Sequence, residues 1–168
     1  MKTRFEHFSI RFTTAVLLGL LLMLAQGFLR NPVSAVLAPQ CASPWELSKL
    51  IFWPLVFSWA LTGRLSGGCG RTLRRMAPWL VASPLALMLA GWAIAPLHPA
   101  AGFLLVLWVG ALALTLLLAQ TELLREGPVW MVLAVALGMA YIILTFLPPF
   151  GGPFLDPADV AAMAVIPF

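Results

Sequence analysis

The chain has 168 residues, of which 62% are hydrophobic and only 10% charged, and its mean hydropathy is +1.00. Soluble domains contain about half apolar and about a quarter charged residues, so these values exclude an ordinary soluble domain. The formal net charge of +4 does not predict nucleic-acid binding, because the Lys and Arg residues lie near span ends and form no basic face with interleaved aromatics. The composition predicts an all-α integral membrane protein, a single membrane domain of about five transmembrane helices.

Five apolar segments alternate with short connectors. The predicted spans are residues 12–29, 45–61, 77–95, 101–119 and 129–147. Between the first two spans, Pro32 and Pro39 are expected to prevent regular helix through most of residues 30–42. The tail, residues 148–168, contains five prolines. Because so many prolines forbid a sixth span, the tail is expected to fold back at the membrane surface.

Two segments have a second interpretation. The Ala25-Gln26-Gly27 tripeptide loosely resembles a cleavage site, so the first span is either retained or removed as a signal peptide. Residues 62–76 combine four arginines with four glycines, but a phosphate-binding loop is rejected because no strand precedes them and no Gly-Lys-Ser/Thr ending follows. A flexible basic loop on the cytoplasmic side, in contact with anionic lipid headgroups, is expected instead.

The distribution of charge predicts the orientation. With the N-terminus inside, eight of the ten Lys and Arg residues fall on the cytoplasmic side, and only Arg30 and Lys49 on the other. The C-terminus is then expected outside. The protein is expected to cross the inner (cytoplasmic) membrane several times. Cys41 and Cys69 fall on opposite faces, so no disulfide between them is expected.

The clearest local signals lie in residues 43–59, SPWELSKLIFWPLVFSW. Ser43 is placed as an N-cap, Pro44 occupies the first helical position, and Glu46 stands where it can complete a capping box. A helix is therefore predicted to begin here. Further along, Pro54 removes the hydrogen bond to the Leu50 carbonyl and should bend the helix.

Glu46 and Lys49 are three residues apart and share one face of this helix. Ionisable groups near the membrane interior are functional candidates, and these two are the nearest that the chain offers. A ligand site beside the Pro54 kink is accordingly a hypothesis, with Glu46, Lys49, Trp53 and Tyr141 as its lining. The alternative is an ion pair at the membrane interface that only seats the helix.

Two patches carry a resemblance to a family. The first comprises Ala38-Pro39, Ser43, Trp45-Glu46, Lys49-Leu50 and Phe52-Trp53-Pro54, and the second Thr145-Phe146, Pro148-Pro149 and Phe154-x-Asp156-Pro157. They resemble the signature stretches of small bacterial integral membrane proteins that are known only as a domain of unknown function. The resemblance implies a multi-helix membrane fold but no activity. The motif positions that it implies are Ser43, Pro44, Trp45, Pro54, Pro148, Pro149, Asp156 and Pro157.

The chain departs from this family pattern at polar positions. Cys41-Ala42-Ser43 stands in place of Asn-Glu-Ser, and Leu47 in place of a histidine after the glutamate. Gln26 lies where members place His and Glu, and Ala158-Asp159-Val160 where they end in Thr-Gly-x-Tyr-Gly. Chemistry that depends on those groups in the family is therefore not expected here.

The sequence contains no catalytic or metal-binding pattern. His7 and His98 fall on opposite sides of the membrane, so they cannot hold a metal or haem together, and no Ser/His/Asp group can assemble. No cofactor, metal or catalytic residue is predicted; an enzyme is disfavoured but left open. We expect a non-catalytic protein of the lipid bilayer that packs with or stabilises a membrane partner or a second copy. The alternative is a carrier or binder of a small or lipid-like molecule.

Overall fold

The computed structural model describes residues 2–28, 31–39, 43–65, 69–94, 101–121, 123–124, 127–147 and 154. This part of the chain forms six helices and no strand, which confirms the all-α prediction for it. The helices are α1 (Lys2–Phe28), α2 (Pro32–Leu37), α3 (Pro44–Leu65), α4 (Cys69–Ile94), α5 (Ala101–Leu118) and α6 (Pro128–Phe146).

Three of these helices are long and apolar enough to cross a membrane. The candidate spans are Phe8–Ala25 in α1, Arg74–Ile94 in α4 and Pro128–Phe146 in α6. In α5 the apolar segment Gly102–Leu118 is shorter. Helix α3 has 22 residues, which is enough length at 1.5 Å per residue, but it is less apolar than α5 or α6. Crossing by all five long helices therefore remains a prediction.

Helix α3 lies at the centre of the bundle and packs against α1, α2, α4 and α5. Most of its side chains are buried, whereas α5 and α6 expose many large apolar side chains. A central helix covered by its neighbours need not be apolar on all sides, which explains why α3 carries Ser, Glu and Lys. The main contributors to the core are Ile51, Leu55, Trp59, Trp79, Leu80, Trp108, Leu112 and Tyr141.

The connector after α1 is more helical than predicted. Pro32 begins α2 at a position where its missing N–H costs nothing. The Asn31 side chain accepts from the Ser34 N–H at 2.8 Å, and the Asn31 N–H donates to Ser34 Oγ at 3.2 Å, which forms a capping box. The prediction considered Pro32 only as a helix breaker, although proline also favours a helix start.

Within the basic segment, residues 62–65 and 69–76 are helical, where a flexible loop was expected. Helix α3 continues to Leu65 and α4 begins at Cys69. Arg, Leu and Met are good helix formers, so the segment carries helix on both sides of residues 66–68. Arg74 and Arg75 consequently occupy fixed positions on α4, the first exposed and the second half-buried.

The tail lies outside the described residues except for Phe154. The ring of Phe154 lies 5.1 Å from that of Trp45 at the start of α3, measured between centroids. This contact is compatible with a tail that returns to the bundle. The motif positions Pro148, Pro149, Asp156 and Pro157 lie outside the described residues.

Candidate functional site

Ser43 and Pro44 begin α3 as the sequence predicted. The Glu46 N–H donates to Ser43 Oγ at 3.2 Å, and the Leu47 N–H donates to the Ser43 carbonyl at 3.0 Å. Ser43 is therefore the N-cap, and Pro44 is the first helical residue. This cap fixes the position of the two charged residues that follow in the first turns.

Glu46 and Lys49 form a buried ion pair. Lys49 Nζ lies 2.6 and 2.7 Å from the two carboxylate oxygens of Glu46. The side chains are 10% exposed for Glu46 and 0% for Lys49, so protein covers the pair. Lys49 Nζ also donates to Thr145 Oγ1 at 2.8 Å and to the Ala35 carbonyl at 3.3 Å. The ammonium thus connects α3 with α2 and α6, and these contacts offset the cost of burying its charge.

Tyr141 joins this cluster through a hydroxyl group on α3. Its phenolic oxygen lies 2.6 Å from Ser48 Oγ, which also donates to the Trp45 carbonyl at 2.6 Å. The Thr145 hydroxyl donates to the Tyr141 carbonyl one turn earlier in α6. We call Glu46, Ser48, Lys49, Tyr141 and Thr145 the polar cluster. Sequence reasoning missed Ser48 and Thr145, although Thr145 shares a helix face with Tyr141 because four residues separate them.

Trp53, the fourth residue of the predicted ligand site, lies outside the polar cluster. Its indole N–H donates to the Val36 carbonyl at 3.0 Å and so ties α3 to α2. The structure therefore brings Glu46 and Lys49 together and joins Tyr141 to them through shared partners. Each of the four predicted residues makes a hydrogen bond within the protein.

Pro54 has no N–H to donate to the Leu50 carbonyl. This oxygen accepts a hydrogen bond from another helix instead. The indole N–H of Trp108 on α5 donates to this oxygen at 2.9 Å. Gly19 on α1 makes room for the ring, since a Cβ there would lie 2.8 Å from Cη2 of Trp108 and closer still to Cζ2. The Leu50 carbonyl that Pro54 leaves without its helical donor is therefore hydrogen-bonded within the protein.

An apolar cavity of about 450 Å³ lies beside this contact, on another part of the α3 surface from the ion pair. Its eleven lining residues are all Leu, Met, Pro, Gly or Trp, so it offers apolar contact almost everywhere. The one polar hydrogen on these side chains, the indole N–H of Trp108, is already bonded to Leu50. A cavity of this size falls in the range of ligand pockets. Leu47, Leu50, Leu87, Gly91, Leu105 and Trp108 are among the lining residues.

Searches for related proteins gave no result: the chain matches no family model, no curated protein and no solved structure. The resemblance to the bacterial membrane family stays a prediction. Among the described residues, no group of three His, Cys, Asp or Glu side chains could hold a metal ion.

Proposed function

We propose that this chain is a non-catalytic, multi-pass protein of the bacterial inner membrane that packs against a membrane partner. The three apolar candidate spans support the membrane assignment. The ionisable pair of α3 is bonded within the protein, as are the hydroxyls of the polar cluster. Groups held in this way stabilise helix packing and are poorly placed to react with a substrate.

The outer face of α5 carries this proposal. Val106, Gly110 and Leu114 follow one another at intervals of four along this face and are exposed, and Gly102, which also lines the apolar cavity, is exposed one turn before them. A Cβ built on either glycine meets no atom within 4 Å. Small residues on an open helix face let another helix approach closely, which is how transmembrane helices associate. The partner is a second copy of the chain or another membrane protein.

The test enlarges the proposed contact. Gly110→Leu should abolish or strongly reduce self-crosslinking and copurification of a partner from native membranes in mild detergent. Ala136→Leu is the matched control, because it adds similar volume to an exposed small residue of α6. A wild-type protein that is a lone monomer without any copurifying protein would contradict the proposal.

A second function, the binding of a lipid-like molecule, is supported by the apolar cavity. Its lining suits a hydrocarbon chain better than a polar solute, because a polar group inside would lose hydrogen bonds to water. The proposed ligand lies near Leu50 and Trp108, beside the proline kink, and away from Glu46 and Lys49.

Filling the cavity tests this second function. Gly91→Leu should lower the amount of lipid that copurifies with the protein, as measured by native mass spectrometry. Ala93→Leu is the control, since it adds similar volume to an exposed residue two positions further along α4. Glu46→Gln should leave lipid retention unchanged if the cavity is the site. If Glu46→Gln reduced the copurifying lipid and Gly91→Leu did not, the ligand would bind at the polar cluster and not in the cavity.

A further inference from the structure

The mouth of the apolar cavity lies at one end of the helix bundle. Its lining includes Pro44, the first residue of α3, Gly91 near the end of α4 and Gly102 near the start of α5. A Cβ on Gly91 would lie 3.5 Å from Cβ of Pro44, so the end of α4 meets the start of α3 here. Gly102 and Leu105 are exposed, and Gly91 is half-buried. The cavity therefore reaches the surface of the bundle, at a place where the two glycines have no side chain to close it.

The inner end of the cavity is formed by Leu50, Leu87 and Trp108. These three lining residues lie about 10 Å inside the ends of α3, α4 and α5, at a rise of 1.5 Å per residue. The hydrogen bond of 2.9 Å between the Trp108 indole and the Leu50 carbonyl joins α5 to α3 at this level. One leaflet of a bilayer contributes about 15 Å of hydrocarbon. The cavity therefore fits within the depth of a single leaflet.

The size and chemistry of the cavity fit one hydrocarbon chain. Its side chains are apolar apart from the indole N–H of Trp108, which is already bonded, so a headgroup inside would lose its hydrogen bonds. The volume of about 450 Å³ equals that of about fifteen molecules of liquid water. A methylene group takes up about as much space as a water molecule, so there is room for a chain of about fifteen carbon atoms. Because such a chain is longer than the cavity is deep, it lies bent against the inner end.

We propose that the cavity binds one acyl chain of a membrane lipid and that Leu87 limits the length of this chain. The chain enters at the mouth from the leaflet at this end of the bundle, and the headgroup stays at the membrane surface. The orientation predicted from charge makes this the outer leaflet. Leu87 is half-buried and, unlike Leu50 and Trp108, takes no part in the hydrogen bond at the proline kink. This inference rests on the second proposed function, because it specifies the ligand of the same cavity.

The test measures which chain length the protein prefers. Delipidated protein in mild detergent is offered an equimolar mixture of phosphatidylglycerols with lauroyl, myristoyl, palmitoyl or stearoyl chains, and bound lipid is measured by native mass spectrometry. Leu87→Phe should lower the bound ratio of stearoyl to lauroyl lipid at least about fivefold, because overfilling a packed space is costly. Leu87→Ala should raise this ratio, since it enlarges the inner end. The two variants change the volume in opposite directions, so if one fails to fold the other still tests the proposal.

Leu89→Phe is the matched control for Leu87→Phe. It makes the same substitution at an exposed residue of α4 and should change the ratio less than about twofold. Equal shifts for Leu87→Phe and Leu89→Phe would overturn the proposal, because chain length would then not be set inside the cavity. A parallel mixture of free fatty acids with the same chains identifies the source of the chain. Binding of the fatty acids alone, with the same pattern, would overturn the assignment to a membrane lipid.

The outcomes also separate this inference from the function on which it rests. If Gly91→Leu lowers lipid retention while both Leu87 variants keep the wild-type preference, the cavity binds lipid and the role of Leu87 is wrong. If the folded wild-type protein binds none of the lipids or fatty acids, the second proposed function and this inference are both wrong.

Discussion

Lys49 forms hydrogen bonds with residues of three helices, α2, α3 and α6. Its ammonium is bonded to Glu46 in its own helix, to Thr145 in α6 and to the Ala35 carbonyl in α2, with the side chain fully buried. Removing one member of such a pair leaves the other buried without its opposite charge, which costs more than removing both. The stability of the bundle should therefore depend on the pair as a unit.

Lys49→Met should lower the free energy of unfolding by about 3–5 kcal/mol, because the Glu46 carboxylate stays buried without its cation. The double variant Glu46→Gln/Lys49→Met should be more stable than Lys49→Met alone, since no charge is left. Reversible unfolding by SDS in mixed micelles measures both. A double variant that is less stable than the single one would show that the pair is not the source of the effect.

The Tyr141 hydroxyl should contribute less. Tyr141→Phe removes one hydrogen bond to Ser48, which keeps its bond to the Trp45 carbonyl. The expected loss is about 0.5–1.5 kcal/mol in the same unfolding assay, the net value of a neutral hydrogen bond. A loss as large as that of Lys49→Met would mean that the hydroxyl supports the ion pair itself.

At the scale of the helix, Pro54 in α3 depends on Trp108 in α5. Proline leaves the Leu50 carbonyl without its normal donor, and the Trp108 indole supplies one from outside the helix. Gly19 of α1 belongs to the same contact, because only a residue without a Cβ leaves room for the indole ring. Three helices therefore meet at a position where the sequence shows only an isolated proline.

Trp108→Phe should destabilise the protein more with Pro54 present than in the Pro54→Ala background. Alanine restores an N–H that can bond to the Leu50 carbonyl, so the loss of the indole donor then leaves no unpaired acceptor. The expected coupling between the two substitutions is about 1–2 kcal/mol in a double-mutant cycle. Strictly additive effects would show that the indole bond does not compensate for the proline.

Gly19→Ala tests the close approach of α1 to the same ring. The added methyl group would overlap Trp108, so a loss of about 1–3 kcal/mol is expected from the forced shift. Gly110→Ala is the control, because a Cβ there meets no atom within 4 Å. If Gly19→Ala and Gly110→Ala lower the free energy of unfolding equally, the packing of α1 against Trp108 is looser than the structure shows.

At the scale of the whole molecule, the central question is how the bundle crosses the membrane. The apolar segments predict five crossings and charge asymmetry predicts the N-terminus inside, while three helices among the described residues are long and apolar enough to cross. Helix α3 has the length to cross and is surrounded by its neighbours, so its lower apolarity does not expose polar groups to lipid. The five-span topology is therefore physically consistent with the bundle.

The two native cysteines test this topology. In intact cells, a membrane-impermeant maleimide should label Cys41 in the Cys69→Ser variant, and should label Cys69 in the Cys41→Ser variant only after the membrane is opened. Complete labelling of both after denaturation serves as the control. Labelling of both cysteines from the same side of intact cells would contradict the five-span topology.

The sequence by itself determined the class of fold and the start of α3. Apolar composition and span length depend on local residue content, and the cap formed by Ser43, Pro44 and Glu46 depends on residues within one helical turn. The pairing of Glu46 with Lys49 was also predictable, because three residues on a helix place them on one face. At Pro32 local reasoning considered only that proline interrupts a helix. Proline also favours the first position of a helix, and here it begins α2.

The tertiary structure decided what surrounds these residues. Ser48 and Tyr141 are 93 positions apart in the chain, and Leu50 and Trp108 are 58 apart, so no local pattern predicts either bond. The burial of the ion pair follows from α2 and α6 covering α3. The apolar cavity likewise depends on contacts between helices. Such contacts arise from how helices of similar apolarity pack, which composition and periodicity do not specify.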